Sequence, residues 1–361
     1  MRFGIKPQVL TVLTTDQCTA ACDHCCMNSS PDRKDRLSLD HLKRGIDQLE
    51  ALGELGVVVF AGGEPLLTKN TLLEAIKYCF DRGVATRLVT SCSWGVTSSK
   101  AETIVRQLRD AGLREINLSV DDYHLPFIPF EHVKNVWDAS HGVGFSSVVI
   151  ACNSHCESTI TPEWVEDKLN RKLPRSYDDL GIRLPDLPAP EEDGTRYLIS
   201  NSKIQILGRG KEALDSSVVR LPESQDALDT PCQWAVRSPA ISPRGDLLAC
   251  CGHEVGSNSF LNFGSLEEAD ATQLLSDACD DVLVVGVSTI GPYALLKFAQ
   301  SYEPDLHAGR EFRSVCEVCS VVTDDEKVVK VLRDHQLDLA SQIMRTAIPK
   351  RKAVLESDLS S

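Results

Sequence analysis

No apolar run in this chain of 361 residues approaches the roughly 20 that a membrane span needs. Met1 to Lys6 are too few and too little apolar to make a secretory leader, so a cytoplasmic chain is expected. Basic clusters are just as scarce: Lys350-Arg351-Lys352 is the one short run, in a chain of net charge −14. That balance argues against broad binding of nucleic-acid phosphates, and neither nucleic acid nor membrane is expected as a partner. Repeats and low-complexity tracts are missing as well. What the chain holds in quantity is cysteine, fourteen in all. In a reducing compartment such thiols bind metals or stay free rather than pair as disulfides. The length and the 42% hydrophobic content allow one large domain and a smaller one.

From residue 8 to about 207, short β-branched runs alternate with amphipathic stretches, the pattern of βα units on a parallel sheet. Strands are predicted over Val9–Thr15, Gly56–Ala61, Thr86–Thr90, Glu115–Val120, Ser146–Cys152 and Lys203–Leu207. Helices are predicted over Leu39–Leu55, Thr71–Arg82, Ser99–Ala111, Phe130–His141 and Pro162–Leu173. The last of these opens with a capping Thr161 and a first-turn Pro162. The fold class is therefore α/β, a partial (β/α)6 barrel over 1–210 with its chemistry at the C-terminal ends of the strands. Residues 174–202 interrupt the rhythm. Leu184 to Gly194 is proline-rich and acidic, and the segment reads as a surface insertion. A small α+β domain is expected over 211–345, with helices at Leu266–Cys279, Pro292–Ser301 and Asp324–Met344. The stretch 346–361 reads as a flexible tail.

Cys18, Cys22 and Cys25 stand in a C-x-x-x-C-x-x-C spacing just after the first strand. Three thiolates this close can hold three corners of a 4Fe–4S cluster and leave the fourth iron open to a small molecule. Zinc is the competing reading; it needs a fourth nearby ligand, and His24 lies inside the loop. The stretch resembles the cysteine loop of the radical S-adenosylmethionine (SAM) enzymes. That resemblance implies that the open iron chelates the amino and carboxylate groups of SAM. One electron then splits SAM into methionine and a 5′-deoxyadenosyl radical, which abstracts a hydrogen atom.

Phe60-Ala-Gly-Gly-Glu-Pro65 follows one βα unit later and is similar to the family's G-G-E-P element. Two glycines let backbone approach a ligand, and a carboxylate beside them can accept from an ammonium group. The resemblance gives Gly62, Gly63 and Glu64 the methionine amino group of SAM. The third strand ends Val89-Thr-Ser-Cys-Ser-Trp-Gly95 where relatives often have Thr-Asn-Gly, so no contact is assigned there. Leu118-Ser-Val-Asp-Asp-Tyr-His124 is similar to the family's Ser-x-Asp element, which implies SAM contacts for Ser119 and Asp121. Asp122, Tyr123 and His124 follow on the loop facing the pocket. They suit substrate binding or, for His124, proton transfer; a turn capped by Asp and His accounts for them equally well. Leu207-Gly-Arg-Gly210 resembles the family's Gly-Arg-Ala and implies a SAM-side contact for Arg209.

A second cysteine set lies further on. Cys232 is followed by twelve residues, Gly245, four more residues and Cys250, and Cys316 and Cys319 then form a C-x-x-C. Pro243 to Asp246 reads as a turn between two short strands that brings Cys232 and Cys250 within reach of each other. Four thiolates complete a 4Fe–4S cluster with no open iron; a structural zinc site uses the same four ligands. The layout resembles the twitch domain, the shorter relative of the SPASM domain. It implies one auxiliary 4Fe–4S cluster, because no cysteine follows Cys319. Of the remaining thiols, Cys79 and Cys279 read as core residues, and Cys26 and Cys251 each neighbour a cluster ligand. Cys251 is the first candidate for a thiol that returns hydrogen to a substrate radical, with a buried thiol or a substitute for Cys250 as alternatives.

The resemblance implies an oxidoreductase-type enzyme fed by a reductant such as flavodoxin or ferredoxin. Its substrate is expected to be a ribosomally made peptide, undergoing epimerisation, crosslinking or oxidation. A small molecule, as in aminocyclitol dehydrogenation, is the runner-up, and a non-catalytic metal-binding module is the third reading. The first strand begins within ten residues of Met1, so no separate peptide-recognition domain is expected ahead of it.

Overall fold

In the computed structural model, residues 6–177, 184, 186–252, 254–256 and 259–346 are described. The first half of the chain builds β1 Val9–Leu13, α1 Leu39–Glu50, β2 Val57–Ala61, α2 Lys69–Asp81, β3 Ala85–Thr90 and α3 Ser98–Asp110. It continues with β4 Glu115–Ser119, α4 Phe130–Ala139, β5 Ser147–Ser154, α5 Pro162–Leu169 and β6 Arg196–Lys203. Each of these strands pairs in parallel with the next in sequence, the arrangement of an open, partial barrel.

The helices form where apolar residues recur on one face. In α1, Leu42, Ile46 and Leu49 are fully buried, and Ser38 caps the helix by accepting from the His41 amide. Thr161 caps α5 in the same way, accepting from the Trp164 amide ahead of Pro162, as its sequence predicts. These helix faces and the outward side chains of the strands share one apolar core, with Phe60, Ile76, Leu88 and Leu108 among its fully buried members.

The sixth strand is not where its pattern predicts. It runs over Arg196–Lys203, inside the segment read as an insertion, and Lys203–Leu207 contributes only its first residue. Tyr197, Leu198 and Ile199 supply the buried apolar run, and the proline-rich stretch just before them hides it. Part of the insertion also serves the sheet, because the Ser176 amide donates to the Ile199 carbonyl at 3.0 Å.

Beyond a short α6 (Gly210–Ala213), the chain returns to the sheet on the other side of β1. It adds β7 Ala240–Ile241, β8 Asp246–Leu248 and β9 Asn262–Ser265. The sheet thus has nine strands, in the order β6-β5-β4-β3-β2-β1-β7-β8-β9. β7 lies parallel to β1, and β8 and β9 follow antiparallel. The expected turn joins β7 and β8, with Gly245 at φ +89° and its amide donating to Ser242.

The remaining helices are α7 Ala271–Asp280, α8 Val282–Thr289, α9 Pro292–Tyr302, α10 Val315–Asp324 and α11 Glu326–Asp334. Residues 336–346 are also helical. Where one long helix is expected over Asp324–Met344, Asp325 breaks it by leaving helical geometry and capping α11. Several of these helices close a second apolar cluster around Leu295, Val318, Val322 and Leu332. No helix among the described residues is long and apolar enough to cross a membrane.

Ile76 sits fully buried on α2, and truncating it leaves a cavity under the sheet. Ile76→Ala should cost about 2–5 kcal/mol, read as a lower urea midpoint at unchanged slope.

Candidate active site

The loop after β1 carries Cys18, Cys22 and Cys25 and is held by its backbone. Leu37 donates to Thr14, Asp16 to Asp35 and Cys18 to Ser30, closing the loop on itself. The turn after β2 then seats against it: the Gly63 amide donates to Thr15 O at 2.7 Å and the Glu64 amide to Gln17 O at 2.9 Å. A Cβ on Gly62 would meet Thr15 O at 2.4 Å, and one on Gly63 would meet Gln17 O at 2.0 Å. The close approach these glycines permit is therefore made to the cysteine loop itself, in addition to lining the cavity beyond.

Arg209, expected on the SAM side, grips the same loop from beyond the last strand of the barrel. Its guanidinium donates to Cys22 O at 2.6 Å and Ser29 O at 2.7 Å, and its amide donates to Cys25 O. Gly208 beside it, at φ +52°, leaves no room for a Cβ against the Cys25 and Cys26 carbonyls.

Glu64 is 1% exposed, and its carboxylate is held by residues at the end of β3. It accepts from the Leu66 amide, the Thr90 hydroxyl, and the amide and hydroxyl of Ser91. Burial pushes its pKa up, against the pull of those donors. Thr90 and Ser91, left unassigned by sequence reasoning, are thus the partners of Glu64, and both line the cavity.

Ser119 lines the cavity from the end of β4, whereas Asp121 lies fully buried behind it. The Asp121 carboxylate accepts from the amides of Tyr123 and His124 and from Asn153, and it meets His124 Nδ1 at 2.8 Å. Burial alone would raise its pKa, but the charge and hydrogen bond of His124 outweigh that and hold it down to about 2. His124 faces the cavity with Nδ1 fixed. Asp122 points elsewhere: it accepts from Thr159 and the Ile160 amide and so pins the loop after β5. His24 stacks on Tyr123 with ring centroids 4.9 Å apart, and its Nε2 lies 3.7 Å from Asp121. Burial lowers its pKa to about 4, so the ring is neutral at pH 7. Its Nδ1 is buried with no hydrogen-bond partner among the described residues, and the ring lines the same cavity as the three cysteines.

The second set gathers at the other side of β1. Cys232 donates its amide to Val287 O, Cys250 follows β8, and Cys316 and Cys319 occupy the first turns of α10. Burial pushes the Cys316 thiol up to about 11, with neighbouring Cys232 and Cys251 adding to the effect. Cys250 and Cys319 are also pushed up, by burial first and then by neighbouring thiols, Cys251 in the case of Cys250 and Cys250 in the case of Cys319. Cys251 is exposed and accepts from the Thr11 hydroxyl at 3.5 Å. Among the other thiols, Cys79, Cys92 and Cys152 are buried and Cys279 is half-buried, while Cys156 is exposed.

A cavity of about 260 Å³ joins these parts. Cys18, Cys22, Cys25 and Cys26 form one wall, Gly62 and Gly63 another, and Ser119, His124 and Asn153 a third. Lys203, Ile204 and Gln205 close it from the end of β6, and Gly252 from the second cysteine loop. Sequence reasoning missed Asn153, Lys203, Gln205 and Gly252; a correct end for β6 would have exposed two of them. The donor set fits an iron–sulfur cluster. Burial lifts Cys18 to about 11 and Cys22 beyond it, so thiolates exist here only beside compensating positive charge, which cluster iron supplies. Gly63→Ala would push Gln17 off the turn, so iron retained after reconstitution should fall at the site of these three cysteines. Iron content and the EPR signal of the reduced protein check this.

Residues 12–151 match the family model described as the Radical SAM superfamily. A putative peptide biosynthesis protein of Bacillus subtilis (strain 168), YydG, is 22% identical over 181 residues, covering 50% of this chain and 54% of that protein. The match thus spans about half the length of that relative. The PqqA peptide cyclase of Xanthomonas campestris pv. campestris (strain 8004) is 27% identical over 292 residues, covering 73% of this chain and 72% of that protein. Among solved structures, native anSMEcpe with bound AdoMet matches at a TM-score of 0.50 and 12% identity. It covers 93% of this chain and 100% of that one, a likeness of fold. With the cysteine loop, the glycine turn and the parallel strands in place, residues 12–151 form a radical SAM domain.

Proposed function

We propose that this radical SAM enzyme modifies a ribosomally made peptide. One observation carries the reading: a single cavity is bounded by the three-cysteine loop, the glycine turn, the ends of β4 and β6, and Gly252 of the second cysteine loop. A substrate there lies between both cysteine sets. The names of the Bacillus and Xanthomonas relatives both refer to peptides, which puts a peptide ahead of a small molecule.

In this reading Cys18, Cys22 and Cys25 hold the cluster, and Gly62, Gly63 and Ser119 line the place of SAM. When bound, the pair supplies a 5′-deoxyadenosyl radical that takes a hydrogen atom from a Cα or Cβ carbon. Arg209 keeps the loop carbonyls in place, and Glu64 holds the end of β3 against the glycine turn. Asp121 fixes His124 Nδ1, which leaves Nε2 to give or take a proton in the cavity.

Cys232, Cys250, Cys316 and Cys319 would hold an auxiliary 4Fe–4S cluster in a twitch-like segment. A structural zinc site uses the same four ligands, and the radical SAM domain ahead of them favours the four-iron cube.

Cys251 would quench the substrate radical. Its S–H bond breaks as the C–H bond forms, and the thiyl radical left behind is reset by one electron and one proton from a flavodoxin- or ferredoxin-type reductant. Its exposure beside Gly252 suits that role. Such a quench leaves the oxidation state of the peptide unchanged, as epimerisation requires.

Anaerobic reconstitution should load about eight irons per chain and give 5′-deoxyadenosine under dithionite. Replacing Cys18, Cys22 and Cys25 with Ala should leave about four irons and no cleavage. Continued 5′-deoxyadenosine from that variant would sink the assignment. Cys251→Ala should cleave SAM at an unchanged rate yet form no product from a cognate precursor peptide, and normal product would remove Cys251 from the mechanism.

A further inference from the structure

The barrel has a second cavity at its opposite end, of about 340 Å³, around the starts of β2 to β6. It is lined by Arg87, Arg114 and Arg196 together with Thr86, Glu115 and Ser147. Alternation along the strands separates it from the cysteine cavity. Arg87 lies two residues before Val89, and Glu115 four before Ser119, and the later residue of each pair lines the upper cavity. Between the two levels, Val59, Asn117, Val149 and Leu198 share the same strand faces and are all nearly or fully buried, which plugs the lumen.

The charge of the lower cavity is out of keeping with the chain. Three guanidinium groups meet one carboxylate there, in a protein of net charge −14. Glu115 pairs with Arg87 and accepts from the Ser147 hydroxyl at 2.6 Å, which neutralises one of the three. Arg196 donates through Nε to Pro188 O, and its terminal nitrogens have no partner among the described residues. Arg114 is exposed, and its side chain has no hydrogen bond or ion pair with any described residue. Two positive charges are therefore left over.

We propose that the cavity at the N-terminal ends of β3, β4 and β6 binds a doubly charged oxyanion of the phosphate class, held by Arg114 and Arg196. Guanidinium forks match tetrahedral oxyanions by paired N–H···O bonds, and two such forks balance a dianion. Bound there, the anion ties together the starts of three strands.

The test titrates inorganic phosphate into full-length protein at constant ionic strength, with chloride as the matched control, followed by calorimetry and thermal midpoint. Saturable phosphate binding that chloride does not reproduce is the expected result. Arg114→Ala, which disturbs no described contact, should weaken it at least tenfold. Lys100→Ala, on the first turn of α3 at the other end of the sheet, should leave it unchanged. Phosphate heats no different from chloride's, or full binding by Arg114→Ala, would overturn the proposal. Succinate bound more tightly than phosphate would also overturn it, by assigning the cavity to dicarboxylates. Adenosine monophosphate separates the sources: tighter binding than phosphate supports a phosphate ester, and equal binding supports free phosphate.

Discussion

The upper end of the barrel depends on one contact, between the backbone of the cysteine loop and the glycine turn after β2. The carbonyls of Thr15 and Gln17 are the acceptors, the amides of Gly63 and Glu64 the donors, and the spacing leaves no room for a single extra carbon. Thiols buried here resist ionisation, so the loop cannot rely on charge to hold its shape before iron arrives. Hydrogen bonds must hold it instead. That division of labour explains why so many polar groups near the cavity are committed to backbone partners. Glu64 serves β3, Arg209 serves the loop carbonyls, and Asp121 serves the turn after β4.

The two cysteine sets are also fastened to each other. The Glu254 amide donates to Cys26 O at 3.0 Å, next to Cys25. Its carboxylate accepts from Asn28 at 2.6 Å and Arg33 at 2.8 Å, and Arg33 reaches on to Asp16. A residue four positions beyond Cys250 is therefore built into the first cysteine loop. These charge-assisted bonds are half-buried, and they outweigh the exposed Lys211–Asp324 pair that also links α6 to α10.

Much of this was legible in the chain, because the signals were local. The cysteine spacing, the Gly-Gly-Glu-Pro turn and the turn at Gly245 each lie within a dozen residues, and strands β1 to β5 follow their β-branched runs to within a residue or two. What could not be read depended on register. That Thr90 and Ser91 face Glu64 follows from the parallel pairing of β2 with β3, which no single segment announces. Asn153 reaches Asp121 because β5 runs three residues beyond Ser119's partner Ala151. β6 was misplaced for a related reason: its upper half, Ser200 to Lys203, is polar and ends at Lys203 on the cavity, so it reads as loop. The polar lumen at a functional end imitates surface.

The pairing of β7 with β1 has a consequence for how the chain can be divided. β1 has β2 on one side and β7 on the other, with Gln8 and Thr11 donating to the carbonyls of Arg237 and Pro239. In a shortened chain ending after β6, that side of Val9–Leu13 would present bare amides and carbonyls along an apolar strand. Such an edge recruits other strands and aggregates. The segment with the second cysteine set is thus the seal on the barrel's first strand, and a barrel freed of it would be expected to fail by self-association before any loss of activity could be observed.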